Sequence, residues 1–169
     1  MSTIFSRHDQ THEHRPRAGS RSVSAGLNRW LHNRSRIHIG RWGERTARKI
    51  LKRAGASILQ VNWRDTRGEV DIIALVERRL LIVEVKTRHH GLKARYPAVR
   101  AVDEEKRTRL NRLGLSFIRN HGPLCRKLAI KSHRIDAIEV YYKRTRFGFM
   151  RVDEVSWHKG LTLPHTQKR

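Results

Sequence analysis

Acidic side chains are scarce in this sequence. Fifteen Asp+Glu stand against 38 Lys+Arg, so the 169-residue chain carries a formal charge of +23 with histidine neutral. A charge that large repels itself, and the commonest partner of a strongly basic protein is a polyanion, above all nucleic acid. Cysteine is nearly absent. Cys125 alone excludes an internal disulfide framework and fits a reducing compartment. No apolar run approaches the roughly 20 residues of a membrane span. The first segment places charges and histidines where a secretory signal has its apolar stretch. The expectation is a cytoplasmic protein with no membrane partner; the basic, acid-poor start leaves an Arg-rich mitochondrial presequence as the alternative. Hydrophobic residues are only 37% of the chain, which predicts one folded domain beside a polar tail.

Residues 1–36 are rich in Arg, Ser, His and Gly and poor in large apolar residues, so they are expected to be mostly disordered. They hold 7 Lys+Arg and 2 Asp+Glu, leaving 31 against 13 to the rest, so the positive field belongs mainly to the folded part. From Ile39 the pattern changes. Ile39, Trp42, Ala47, Ile50, Leu51 and Ala54 recur at helical spacing, and Gly55 stands where a C-terminal cap belongs. Strands are predicted over Ser57–Trp63, Glu69–Val76 and Leu80–Thr87, with turn chemistry at Asp65-Thr66-Arg67-Gly68. A basic loop over 88–98 precedes a second helix, Val99–Asn120, whose acidic start suits a helix N-terminus. A loop over 121–132, a strand over Arg134–Tyr142 and a short one over Phe149–Val152 follow, and the chain after Gly160 is expected to fray. No internal repeat is present. The domain over 37–160 is therefore α/β, with an α-β-β-β-α-β order and a mixed sheet flanked by helices.

The chemistry concentrates in Gly68-Glu69-Val70-Asp71 and Val83-Glu84-Val85-Lys86. Alternation places Glu84 and Lys86 on one side of their strand. Glu84 interrupts a run that is apolar on both faces, where an unpaired carboxylate costs several kcal/mol. A hairpin centred between Glu77 and Arg78 sets Asp71 opposite Glu84, with Cβ atoms about 4.5–5.5 Å apart. Two carboxylates that close repel and recruit a proton or a cation. Oxygen donors of this kind suit Mg²⁺. The alternative is that Glu84 and Lys86 neutralise each other while Asp71 pairs with an arginine. Glu77-Arg78 is not a favoured two-residue turn, and a one-residue slip would turn Glu84 and Lys86 away from Asp71. Glu44, one turn before Arg48, reads either as half of a surface ion pair or as a third acid at the same cation. Lys106, on spacing alone, reads as a solvated lysine.

These residues resemble the YraN-type family of small uncharacterised bacterial proteins, placed in the restriction-endonuclease-like (PD-(D/E)xK) nuclease superfamily. The likeness runs from about Gly40 to Trp157. It includes Gly43-Glu44, Asn62-Trp63-Arg64, Gly68-Glu69-Val70-Asp71, Val83-Glu84-Val85-Lys86, Val102 with Lys106, and Arg134-Ile135-Asp136. The basic N-terminal extension, and Ile135 where an aromatic is common, depart from the pattern. The resemblance implies the superfamily core. It also implies a site in which Asp71 and Glu84 bind Mg²⁺ or Mn²⁺, Glu44 is an accessory acid, and Lys86 positions the attacking water or stabilises phosphorane-like charge. Phosphodiester hydrolysis is the expected activity, on nucleic acid and DNA before RNA, with branched substrates suggested by likeness to archaeal-type Holliday-junction resolvases. Resolvase-like action would require a two-fold homodimer. Arg88, Lys93, Arg95, Arg100 and Lys106 are the expected phosphate contacts, an ordinary solvated basic loop being the alternative for the first four. A non-catalytic nucleic-acid binder of the same fold and a basic factor bound to ribosomal RNA are the competing functions.

Overall fold

A chain of alternating apolar and basic turns makes the first helix, α1, over Ser20–Arg53. The computed structural model describes residues 20–92 and 102–161, with side chains from Ser35 onward. Two compact units divide at Ser35, and the second, Arg36–Arg169, holds the sheet. α1 begins well before Ile39, inside the segment expected as a disordered tail. Residues 1–19 of the expected tail and 162–169 of the expected frayed end lie outside the described residues. The C-terminus of α1 forms as expected. Gly55 takes φ +81°, its N–H donates to the Lys52 carbonyl, and the Ala56 N–H reaches back to Leu51, closing the orphan carbonyls.

Strands β1 (Ser57–Asp65), β2 (Gly68–Val76), β3 (Arg79–His89), β4 (Ser132–Arg144) and β5 (Met150–His158) form one sheet in the order β1-β2-β3-β4-β5. β3 and β4 are parallel and all other neighbours antiparallel. The parallel step is made by helices α2 (Glu104–Asn120) and α3 (Gly122–Lys127). The α-β-β-β-α-β order is thus present, a mixed sheet flanked by helices and consistent with a restriction-endonuclease-like core.

Each face of the sheet buries its own cluster. Leu110, Leu113 and Phe117 of α2 pack on Trp63, Val70, Ile73, Leu80, Ile82 and Ile135. Ala47 and Leu51 of α1 pack on Ile72, Ala74, Leu81, Val83, Ile138 and Val140. Consecutive β3 residues therefore enter opposite cores, which accounts for its unbroken apolar run.

Several boundaries differ from the sequence reading. β3 continues through His89 into a single 3-10 turn, His90–Leu92, so Arg88 belongs to a strand and not to a loop. α2 starts at Glu104, its N-terminus capped by Asp103, whose carboxylate accepts from the Lys106 amide at 2.8 Å; that cap competes with any earlier start. Residues 121–132 contain α3, opened by Pro123 in its first turn. β5 runs well past Val152. It is an edge strand, and its Arg, Asp and Glu side chains mask the alternation. Among the described residues no helix is long and apolar enough to cross a membrane.

Candidate active site

The β2–β3 turn decides whether the acids meet. Glu77 and Arg78 both adopt left-handed φ, +46° and +63°, the type I′ geometry whose twist matches the flanking strands. The register is therefore held: Val76 pairs with Arg79 and Ile72 with Val83. One step further sets Asp71 opposite Glu84, as the hairpin arithmetic predicts. There the backbone ladder stops. The Val85 N–H donates instead to Asp71 Oδ2 at 2.7 Å.

A cleft of ≈ 720 Å³ opens at this point, and Glu44, Asp71, Glu84, Lys86 and Lys106 all line it. Glu44 arrives because α1 lies almost against β3. A Cβ on Gly43 would sit 1.7 Å from Thr87 Oγ1, so only glycine permits the approach that delivers the next side chain to the cleft. Glu84 is 4% exposed. Lys86 Nζ donates to its Oε1 at 2.6 Å, and Lys106 Nζ, from the first turn of α2, donates to the same oxygen.

The electrostatics are unbalanced on Asp71. Burial, and then the Glu84 charge with Glu44 behind it, push its carboxyl up to about 7, against the opposing pull of the Val85 amide and Lys106. Burial pulls Lys86 down, but its contact with Glu84 outweighs that and its pKa is raised. Lys86 is thus a fixed cation at neutral pH and not a proton acceptor.

These donors fit a hard divalent cation. Asp71 and Glu84 offer adjacent carboxylates, the cleft-lining Val85 a backbone carbonyl, and Glu44 a further carboxylate on the cleft wall. No preformed group of three His, Cys, Asp or Glu donors able to hold an ion exists among the described residues. Mg²⁺ keeps several waters and takes one or two carboxylates plus substrate phosphate, so two facing carboxylates are enough to fit it.

The expected phosphate contacts separate. Lys106 is drawn into the site, against the solvated-lysine reading. Arg88 lines the cleft but lies on β3, 3.5 Å from Glu139 Oε1. Lys93, Arg95 and Arg100 lie outside the described residues. Arg36 and Arg109 also line the cleft and have no sequence signal that sets them apart from other arginines. Glu139 was legible but missed. It is 0% exposed on β4, aligned with Lys86, and touches Arg88, His158 at 3.4 Å and Tyr141 at 3.2 Å. Ile138-Glu139-Val140 breaks an apolar run just as Glu84 does.

The profile of the uncharacterised protein family UPF0102 matches residues 43–140, from the α1 glycine to the middle of β4. A UPF0102 protein of Beutenbergia cavernae is 36% identical over 122 residues, covering 72% of this chain and 96% of its own. Another, of Leifsonia xyli subsp. xyli, is 40% identical over 105 residues, covering 60% and 80%. A third, of Renibacterium salmoninarum, is 36% identical over 107 residues, covering 63% and 85%.

Proposed function

The chain belongs to the uncharacterised protein family UPF0102, and from that premise and its cleft we propose that it is a metal-dependent phosphodiesterase acting on nucleic acid, with branched or structured DNA as its substrate. One observation carries the proposal. Carboxylates from two adjacent strands, Asp71 and Glu84, share a cleft with the ammonium groups of Lys86 and Lys106. A purely structural site has no use for an aspartate whose burial and neighbours hold its carboxyl up near 7.

Asp71 and Glu84 would hold Mg²⁺ or Mn²⁺ with the Val85 carbonyl, and Glu44 would add charge from α1. Such a cation would lower the pKa of a bound water and polarise a phosphoryl oxygen. The protein does the rest. Lys86, kept protonated by Glu84, neutralises negative charge as it grows on the phosphate. Lys106, at the α2 N-terminus, shares Glu84 Oε1 with Lys86 and adds a second positive charge to the cleft. Arg36 and Arg109 on the cleft wall meet flanking phosphates, a contact that is salt-sensitive and sequence-blind.

Linear, single-stranded and four-way-junction DNA incubated with Mg²⁺, Mn²⁺ or EDTA test this. Cleavage is expected with metal only, and Glu84→Ala and Lys86→Ala should abolish it while retaining binding. Cleavage that survives both substitutions would sink the assignment. A second reading, a nucleic-acid binder without hydrolysis, draws on the two ammonium groups that already neutralise Glu84; tight binding with no cleavage under any metal would establish it.

A further inference from the structure

Large apolar side chains surface most fully at the turn joining β4 to β5. Phe147 and Phe149 are 74% and 72% exposed, whereas no other large apolar side chain among the described residues exceeds the 48% of Ile37. Single exposed apolar residues are ordinary. This pair differs in its setting. Arg144, Arg146 and Arg151 flank the rings, while Lys143 is paired with Asp153 at 2.7 Å.

The turn is also ordered. The Thr145 N–H donates to the Phe149 carbonyl at 2.9 Å, the Gly148 N–H to the Thr145 carbonyl at 2.9 Å, and the Phe149 N–H to Thr145 Oγ1 at 3.2 Å. The Arg144 guanidinium donates to the Gly148 carbonyl at 3.1 Å. Two exposed rings are thus presented on a braced turn, one face of Phe147 lying under the Arg146 guanidinium. The Arg146 guanidinium carbon lies 5.1 Å from the Phe147 ring centroid. Finally, Tyr142, which lines the cleft, lies on the same hairpin five residues before Phe147.

We propose that the tip of the β4–β5 hairpin is a stacking site for unpaired bases, the phosphates of that strand lying along Arg144, Arg146 and Arg151. Exposed aromatic faces take any base, and interleaved cations take the backbone. Anionic lipid would satisfy the cations too. Two rings bury little area in a membrane, however, and a cleft residue on the same hairpin favours the strand being processed. The inference rests on the nucleic-acid reading above but not on hydrolysis.

The test uses the full chain in EDTA and three labelled probes read by fluorescence anisotropy: oligo-dT of about 15 nucleotides, an abasic phosphodiester of equal length, and a blunt duplex. Phe147→Ala with Phe149→Ala should weaken dT binding at least about tenfold, change abasic and duplex binding less than about twofold, and leave the thermal midpoint unmoved. Tyrosine at both positions should restore dT binding. Equal affinity of the double variant for dT, or an equal loss on the abasic probe, overturns the stacking site. So does a variant that binds dT normally but no longer sediments with phosphatidylglycerol vesicles, which would assign the patch to lipid. A wild-type chain that binds none of the three probes overturns this site and the nucleic-acid reading together. Ring-dependent dT binding in a chain that never cleaves supports the site and overturns the hydrolase reading alone.

Discussion

Asp136 and Asp71 are both aspartates withdrawn into the sheet, and they are treated in opposite ways. Asp136 is 0% exposed and surrounded by donors. Arg134 grips it with two bonds of 2.7 and 2.9 Å, the Trp157 indole donates at 3.0 Å, and the Gly160 amide at 2.9 Å. These bonds tie β4 to β5 and to the chain beyond it. Asp71 has the Val85 amide at 2.7 Å, faces Glu84, and its carboxyl is pushed up to about 7. A carboxylate saturated with donors is a structural joint. One left short of donors beside other acids is a charge problem that a proton or a cation must settle, and such problems gather at functional sites.

The comparison breaks most directly if the two aspartates respond alike to neutralisation. Asp136→Ala leaves the half-buried Arg134, the Trp157 indole and the Gly160 amide without their shared acceptor and should cost about 3–5 kcal/mol in urea unfolding. A loss below about 1 kcal/mol would mean that this joint is redundant. Asp71→Asn should act in the other direction. The native carboxyl ionises near 7 and the unfolded one near 3.8. Between those values the native state binds the extra proton, so Asp71 lowers stability progressively as pH rises through that window. Without metal, Asp71→Asn should therefore gain on the wild type between pH 4 and pH 8, by roughly 4 kcal/mol at the upper end. A variant less stable than wild type at pH 8 would make Asp71 a second structural joint.

Metal sharpens the same contrast. At about 100 times its dissociation constant a ligand of the native state adds roughly 2.7 kcal/mol. Mg²⁺ at pH 8 should raise the wild-type midpoint accordingly, leave Asp71→Asn unmoved, and stabilise Asp136→Ala as much as wild type. Equal stabilisation of wild type and Asp71→Asn would place the cation elsewhere.

The half of this contrast that lies on β2 and β3 was legible in the sequence, because strand alternation and a two-residue turn fix which side chains oppose. The doubt over Glu77-Arg78 was chemical: neither residue favours left-handed φ, yet both adopt it, the apolar pairs from Ile72–Val83 to Leu75–Leu80 holding the register. Glu44 was a choice between surface and site that spacing could not make, since the decision lies in the contact of Gly43 with Thr87. Lys106 was misjudged because a lysine on a first helical turn looks like any other until the helix is docked over Glu84. The donors of Asp136 come from β5 and from Gly160, and β5 was read too short, its charged edge hiding its period.

The finest test concerns the two ammonium groups on one Glu84 oxygen. Lys86 and Lys106 both stand where they oppose an incoming cation. Removing either should therefore strengthen metal binding, although both serve the site. At partly exposed positions the repulsion is worth on the order of 1 kcal/mol. Lys106→Met should bind Mn²⁺ about 3- to 10-fold more tightly by calorimetric titration, with a smaller gain at high salt. Lys86→Met should gain similarly and lose cleavage, because its charge is needed on the phosphate. If Lys106→Met instead weakens Mn²⁺ binding, its role is to hold the Glu84 carboxylate in a metal-ready orientation. That would outweigh its charge and turn this lysine from a competitor into a positioning residue.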